Sequence, residues 1–69
     1  MSYARRQVMK ALAARGFAVA REGRSHTIVR GPAGQQIPVP RHGEIKPGTA
    51  RAIARQARAD WPEFEREIS

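Results

Sequence analysis

The chain has no cysteine, only four aromatic residues and no long apolar segment. Without cysteine it has no disulfide bond, thiolate metal site or cysteine nucleophile. No apolar run approaches the roughly 18 residues of a membrane span, and the first residues lack the apolar core of a signal peptide. A single domain over residues 1–69 is expected, with a core too modest to enclose a large cofactor. We therefore expect a cytoplasmic protein without a small-molecule cofactor.

Acidic residues are scarce in most of the chain. Residues 1–58 contain twelve Lys and Arg against two Glu, a net charge of +10, whereas residues 59–69 carry a net charge of −3. Eleven of the 13 basic residues are arginine, whose guanidinium binds two phosphate oxygens at once. This distribution indicates a polyanionic partner, with a GC-rich or thermophilic genome as the alternative explanation. The few aromatic residues favour recognition of RNA shape and backbone over base stacking.

The apolar pattern predicts one helix followed by three strands. Helical spacing covers residues 3–15, and Gly16 suits the left-handed position that ends a helix. Short runs rich in β-branched or apolar residues, separated by turn residues, predict strands over residues 17–21, 26–30 and 35–39. Phe17 and Val19 are expected on one face of the first strand. Pro38 lacks a backbone N–H, which predicts an edge position for the third.

Two further helices are predicted after a loop at residues 41–48. The second helix covers residues 49–58, with Thr49 as its N-cap. A short third helix covers residues 61–68, with Asp60 as its N-cap. The fold class is therefore α+β, a three-stranded antiparallel sheet with helices packed on one face, plus a short C-terminal helix.

The acidic C-terminal segment, residues 59–69, has two readings. Trp61, Phe64 and Ile68 recur on one side of the last helix, which favours packing against the body and completion of the core. Alternatively, the acidic segment folds over the basic body and modulates access of RNA.

His26 stands at the start of the second strand, beside a turn. Imidazole moves protons near neutral pH because its ordinary pKa is about 6.5. RNA supplies its own nucleophile, the 2′-hydroxyl, so proton transfer and stabilisation of phosphate charge are sufficient for cleavage. No His, Asp or Glu cluster has metal-ligand spacing, so no metal is predicted. Strand alternation groups His26 with Ile28 and Arg30 and does not tell which face meets the helices.

Several basic and polar residues near His26 are candidates for binding RNA phosphates. The free N–H groups and dipole of a helix N-terminus attract phosphate, which selects Lys46 and Gly48. Arg51 and Arg55 form a helix stripe that fits an RNA backbone, although a solvated helix face explains them equally well in isolation. His42 either contacts the substrate backbone or complements His26 as acid or base. Two turn residues complete the set of candidates, Arg24 and Ser25.

An ordered set of short motifs over residues 16–57 resembles the HicA toxins, small bacterial mRNA interferases of type II toxin–antitoxin modules. The matching residues are Gly16-Phe17, Ser25-His26, Gly34, Ile37-Pro38-Val39-Pro40, His42, Glu44-Ile45-Lys46-Pro47-Gly48-Thr49, Ile53 and Gln56. The resemblance implies a fold similar to a double-stranded-RNA-binding domain (dsRBD-like), with His26 required for RNA cleavage. It also implies a HicB-like antitoxin that covers this histidine. Two features depart from the family pattern: Arg24 replaces a usual glycine, and the tail extends beyond the second helix.

The sequence therefore supports three hypotheses. The first is a toxin that acts as a metal-independent endoribonuclease on mRNA, with His26 as general acid or base and a family-like core over residues 3–58. The second is a non-catalytic RNA-binding module of the same fold. The third is an interaction protein whose basic face binds an acidic partner. RNA binding without strand scission would favour the second.

Overall fold

The computed structural model describes all 69 residues. Its helices are α1 (Arg5–Ala14), α2 (Pro47–Gln56) and α3 (Trp61–Ile68). Its strands are β1 (Tyr3–Ala4), β2 (Ala18–Glu22), β3 (His26–Arg30), β4 (Gln36–Pro40) and β5 (Glu44–Ile45). The order α1-β2-β3-β4-α2, followed by the short α3, confirms the predicted α+β fold. None of the three helices has the length and apolar character that a membrane span requires.

The main sheet is antiparallel with the strand order β2-β3-β4. Its β4 edge carries Pro38, as predicted, because the missing N–H of proline costs nothing where no strand follows. Thr27 and Val29 of β3 are buried against the helices. Their neighbours His26 and Arg30 are exposed on the opposite face, because successive side chains of a strand point to opposite sides.

The predicted helix over residues 3–15 begins too early. Tyr3–Ala4 instead forms β1, which pairs antiparallel with β5 so that Tyr3 lies opposite Ile45. The predicted loop at residues 41–48 is therefore wrong where it covers β5. This pairing buries Tyr3 and Ile45 in the core. Helix α1 ends where predicted, and Gly16 adopts a φ of +89° that a side chain would strain.

Helix α2 begins earlier than predicted, and Thr49 is not its N-cap. Lys46 occupies the N-cap position without a side-chain hydrogen bond, and Pro47 is the first helical residue. Proline suits this position because its fixed φ is already helical and its missing N–H would have no partner there. At α3 the prediction is confirmed, because the Asp60 carboxylate accepts a hydrogen bond from the Glu63 N–H at 3.3 Å.

The first predicted strand begins one residue too early, because β2 starts at Ala18 and not at Phe17. Phe17 precedes β2 and is 7% exposed, whereas Val19 within the strand is 52% exposed. Val19 pairs with the buried Val29 but lies on an edge strand, and the register of β2 shifts after it, between Val19 and Arg21, at a bulge. Gly31 is required beside Phe17, since a Cβ on Gly31 would lie 2.5 Å from the Phe17 ring.

The hydrophobic core is a single cluster of 15 buried residues to which every helix contributes. Helix α3 supplies Phe64, which is fully buried, and Ile68, which is 2% exposed. Trp61 meets the Tyr3 ring edge-on with centroids 6.0 Å apart. The C-terminal helix thus completes the core, as the first of the two readings predicted.

Candidate active site and nucleic-acid interface

His26 lies on the outward face of β3, where two shallow depressions meet. The first, of about 400 Å³, is lined by Ser25, His26, Pro40, His42, Glu44, Ile45, Lys46 and Thr49. The second, of about 390 Å³, is lined by His26, Pro38, Pro40, Gly48, Thr49, Ala52, Ile53 and Gln56. Together they form one open region, the His26 groove, which lies between the start of β3, the end of β4 and the start of α2. The question that strand alternation left open is answered, because the His26 side chain points away from the core.

The structure brings some of the predicted site residues together and not others. Four of them share the groove with His26, namely Ser25, His42, Lys46 and Gly48. Arg24 is exposed in the adjoining turn and does not line the groove. Arg55 is exposed on α2, also outside the lining. The Arg51 guanidinium lies 4.9 Å from the centre of the Trp61 ring, so it faces α3.

The start of α2 offers unpaired backbone donors to the groove. The first backbone hydrogen bond of this helix runs from the Ala50 N–H to the Lys46 carbonyl at 2.9 Å. The N–H groups of Gly48 and Thr49 therefore have no partner within the chain, and no acidic residue stands in the first turn. Such an uncapped N-terminus favours a bound anion through its donors and its dipole.

A polar network behind β3 fixes the backbone around His26. Thr27 is fully buried, and its hydroxyl accepts a hydrogen bond from Arg5 Nη2 at 2.6 Å and donates one to Glu22 Oε1 at 2.6 Å. Arg5 Nε also donates to the Pro40 carbonyl at 2.9 Å. The network thus joins α1 to the end of β2, the start of β3 and the end of β4, the three strand ends nearest His26.

Arg41 extends this network to the turn that carries Ser25. Its guanidinium donates to the Gly23 carbonyl at 2.9 Å and lies 3.6 Å from Glu22 Oε1. Its backbone N–H donates to the Ser25 carbonyl at 3.1 Å. Sequence reasoning missed these supporting residues, because their only signal is the pairing of β3 with β4, which local patterns do not give.

The groove combines polar side chains, two of them imidazoles, with apolar ones, and Lys46 is its one lysine. Glu44 is the one acidic residue in its lining, and its carboxylate accepts a hydrogen bond from the Ser2 hydroxyl. The His26 and His42 rings make no hydrogen bond within the chain. No group of three or more His, Asp or Glu side chains is placed to hold a metal ion. The arrangement therefore offers free imidazoles and anion-binding donors on one surface.

The groups with shifted pKa values lie outside the lining of the groove, between α1 or β1 and α3. Burial raises the pKa of the Tyr3 phenol, whose hydroxyl also donates to Glu65 Oε2 at 3.1 Å. The hydrogen bond from Arg15 lowers the pKa of the Glu67 carboxyl, and the same bond raises the pKa of Arg15. These shifts concern the attachment of α3 and not the groove.

Comparison with known proteins gives one family match. A family model described as the HicA toxin of bacterial toxin–antitoxin systems matches residues 5–59. The matched segment covers most of the chain, contains every residue that lines the His26 groove and excludes α3. No curated protein matches the chain.

Proposed function

Since this chain belongs to the HicA toxin family of bacterial toxin–antitoxin systems, we propose that it is an endoribonuclease that cleaves mRNA with His26 as general acid or base. The observation that carries this proposal is the composition of the His26 groove. An exposed imidazole there shares a concave surface with a second imidazole, a lysine and the uncapped N-terminus of α2. These are the groups that proton transfer next to a phosphate requires.

The proposed reaction uses the 2′-hydroxyl of RNA as nucleophile. This oxygen gives up its proton and bonds to the adjacent phosphorus, the bond from phosphorus to the 5′-oxygen breaks, and the 5′-oxygen takes a proton. The products are a 2′,3′-cyclic phosphate and a 5′-hydroxyl end. His26 either accepts the first proton or donates the second. The chemistry calls for no metal ion, so we propose metal-independent cleavage.

Phosphate binding is proposed at the start of α2. The Gly48 N–H and the Lys46 ammonium line the groove on that side, where they would stabilise the negative charge that grows on the phosphate. Ser25 and His42 line the same groove and are proposed to contact the RNA backbone. Outside the groove, Arg24 would bind RNA near the turn.

The arginines of α2 are proposed to contact RNA beyond the scissile phosphate. Arg55 is exposed and makes no ion pair, so its guanidinium is available to a phosphate. Arg51 is partly engaged by the Trp61 ring, and we expect a weaker contribution from it.

A toxin of this family implies an antitoxin partner. We propose a HicB-like antitoxin that covers the His26 groove. Support comes from the accessibility of the groove and from the exposed Lys46, Arg24 and Arg55 in and near it, which an acidic protein surface would complement. Such a complex would block RNA from His26 without a change in the toxin fold.

A second candidate function is a non-catalytic RNA-binding module on the same fold. It is favoured by the absence of any hydrogen bond from the chain to the His26 ring, since a partner group commonly orients a catalytic imidazole. The family usually has glycine at the position of Arg24, and this difference also favours a non-catalytic module. Both functions share the groove and differ in whether the RNA strand is cut.

The test is a cleavage assay on a long mRNA in EDTA, comparing the wild-type protein with His26→Ala. We expect scission by the wild type and a rate reduced by about 10²–10⁴-fold in the variant, the usual contribution of a general acid or base. Lys10→Ala is the control, because Lys10 is exposed on α1 away from the groove. This variant should cleave at the wild-type rate. Equal scission by wild type and His26→Ala would contradict the role of His26. Binding without scission by either would establish the second function.

A further inference from the structure

The outward face of the main sheet is not covered by any helix. Strand pairing places Arg30 beside Ala18 and Arg21 beside Ile28, and paired residues share a face. We call this surface the open face, and its residues are Ala18, Arg21, His26, Ile28, Arg30, Gln36, Pro38 and Pro40. His26, Pro38 and Pro40 belong both to the open face and to the His26 groove. The two surfaces are therefore continuous.

The open face is cationic and carries no acidic side chain. Arg21 and Arg30 are exposed and make neither an ion pair nor a side-chain hydrogen bond. Glu22, the one acid of β2, is turned to the other side, where its carboxylate accepts the Thr27 hydroxyl at 2.6 Å. Two free guanidinium groups on an acid-free surface complement the phosphates of a nucleic acid.

The centre of the open face is apolar. Ile28 lies opposite Pro38 in the register of β3 and β4, between the rows that contain His26 and Arg30. At about 3.3 Å per residue, Arg30 lies roughly 13 Å along the strand from His26. An RNA strand that extends from His26 to Arg30 would cross the Ile28–Pro38 pair, an apolar surface that a ribose or an unstacked base could contact.

The opposite side of the groove is less favourable to a polyanion. There Arg51 stacks on Trp61, and α3 adds the acidic residues Glu63, Glu65 and Glu67. Binding of a protein strand at the β2 edge is also disfavoured, because a bulge and adjacent charged side chains disrupt edge pairing. The charges therefore favour RNA on the open face.

We propose that single-stranded RNA leaving the His26 groove lies across the open face, with Arg21 and Arg30 binding its phosphates. This inference rests on the proposed function and extends it. It extends the proposed substrate-binding surface from the acid–base site and the start of α2 to the part of the open face that carries Arg21, Ile28 and Arg30. An unpaired strand is inferred because a flat apolar centre accepts ribose and base only when the bases are not paired within a duplex.

The test measures the salt dependence of binding to a single-stranded 2′-O-methyl RNA, which lacks the 2′-hydroxyl and is not cut. The variants are Arg21→Gln/Arg30→Gln, the charge-retaining Arg21→Lys/Arg30→Lys, and the matched control Lys10→Gln/Arg66→Gln on exposed positions of α1 and α3. Loss of two phosphate contacts should flatten the slope of log K against log salt by about 1.4 over roughly 50–200 mM. We expect this change in the first variant and an unchanged slope in the other two.

An equal change in the first variant and the control would reduce the effect to net charge and overturn the proposal. An unchanged slope in the first variant would overturn it too, and would leave the open face to a protein partner. If the double Gln variant does not fold, the single variants Arg21→Gln and Arg30→Gln replace it, and each should flatten the slope by about 0.7. Absence of mRNA cleavage by the wild type would instead count against the proposed function, which this binding test does not address.

Discussion

Gly48 is the second residue of α2, and its missing side chain leaves the backbone N–H open toward the groove. A Cβ at this position would meet nothing within 4 Å, so the protein itself does not require glycine there. Gly48→Ala should raise the free energy of unfolding by about 0.5 kcal/mol, because alanine is the better helix former. The same methyl group should lower the cleavage rate, since it stands beside the N–H proposed to bind phosphate.

Urea unfolding and the cleavage rate, measured on the same preparation, check the Gly48→Ala prediction. Gly43→Ala is the matched control, because a Cβ on Gly43 also meets nothing within 4 Å and Gly43 does not line the groove. We expect the control to cleave at the wild-type rate. A more stable Gly48→Ala protein with undiminished cleavage would remove Gly48 from the phosphate site.

Thr27 is the buried centre of the network behind His26. Thr27→Val keeps the shape but removes the hydroxyl that joins Arg5 to Glu22. We expect a loss of about 1–3 kcal/mol in the free energy of unfolding, because two polar groups lose their partner. We also expect slower cleavage at a temperature where the variant is folded, because Glu22 would hold the turn beside His26 less firmly.

Thr27→Ser keeps the hydroxyl and removes only the methyl group, so it separates the effects of the two groups. It should retain most of the cleavage rate despite a small loss of stability from the missing methyl. Circular dichroism melting and initial cleavage rates are the measurements. Equal cleavage by the Val and Ser variants would show that the hydroxyl does not position His26.

Residue chemistry alone was enough to identify the candidate side chains of the groove, but not the residues that support them. His26 and Lys46 stand out because few residue types move protons or bind phosphate. Arg5 and Thr27 carried no such signal, because an arginine on a helix and a threonine in a strand are ordinary there. Arg51 was expected along the RNA path, whereas the structure turns it to Trp61, a contact set by the packing of α3.

At the scale of elements, local patterns predicted the positions of the helices and the main strands. Some of their observed ends differ from the predicted ones because of long-range contacts. Tyr3–Ala4 joined the predicted helix by its spacing, yet it pairs with Glu44–Ile45, about 40 positions away. A two-residue strand has no periodicity to detect, so this pairing was beyond a sequence pattern. At α2, Pro47 is a correct local signal for the start of a helix. The prediction instead took Thr49 as the N-cap and so began the helix too late.

Helix α3 is attached to α1 by a bidentate ion pair. Arg15 Nη1 and Nη2 donate to the two carboxylate oxygens of Glu67 at 2.7 Å each, and the Arg15 guanidinium lies 5.0 Å from the centre of the Phe64 ring. The pair lowers the pKa of Glu67 from its ordinary 4.5. Its contribution to stability is therefore present above pH 4.5 and is lost as the pH falls through the lowered pKa.

Glu67→Gln should destabilise the protein at neutral pH, and its difference from the wild type should shrink as the pH falls below about 4.5. Thermal melts between neutral and acidic pH are the measurement. Glu63→Gln is the control, because Glu63 makes no ion pair within 4.0 Å. A Glu67→Gln difference that does not depend on pH would show that the ion pair is not its cause. Added salt should weaken the effect, since both side chains are partly exposed.

At the scale of the whole molecule, charge and core are divided between different parts of the chain. The segment matched by the family model carries the groove and nearly all of the positive charge. The acidic segment after it supplies Phe64 and Ile68 to the common core. Its packing against α1 and α2 leaves the His26 groove open, so α3 supports the groove without covering it. The sequence predicted this packing from the apolar side of α3, because that pattern is local.

The dependence of the whole fold on α3 leads to the largest expected loss of stability. Proteins of this length have a free energy of unfolding of roughly 3–10 kcal/mol, and truncation of a buried phenylalanine costs about 3–5 kcal/mol. Phe64 is fully buried, so Phe64→Ala should remove much of the stability of the entire molecule. The transition should remain a single one, because α3 shares its core with every other helix.

Urea unfolding followed by circular dichroism tests this, with Val19→Ala as the control. Val19 is 52% exposed, and its truncation should change the free energy of unfolding by less than about 0.5 kcal/mol. Because the His26 groove is built on the same core, cleavage by Phe64→Ala should fall in proportion to the unfolded fraction and recover on cooling or in an uncharged stabilising osmolyte such as sucrose. A small loss of stability, or a separate early transition confined to α3, would instead mean that residues 5–59 fold independently of the C-terminal helix.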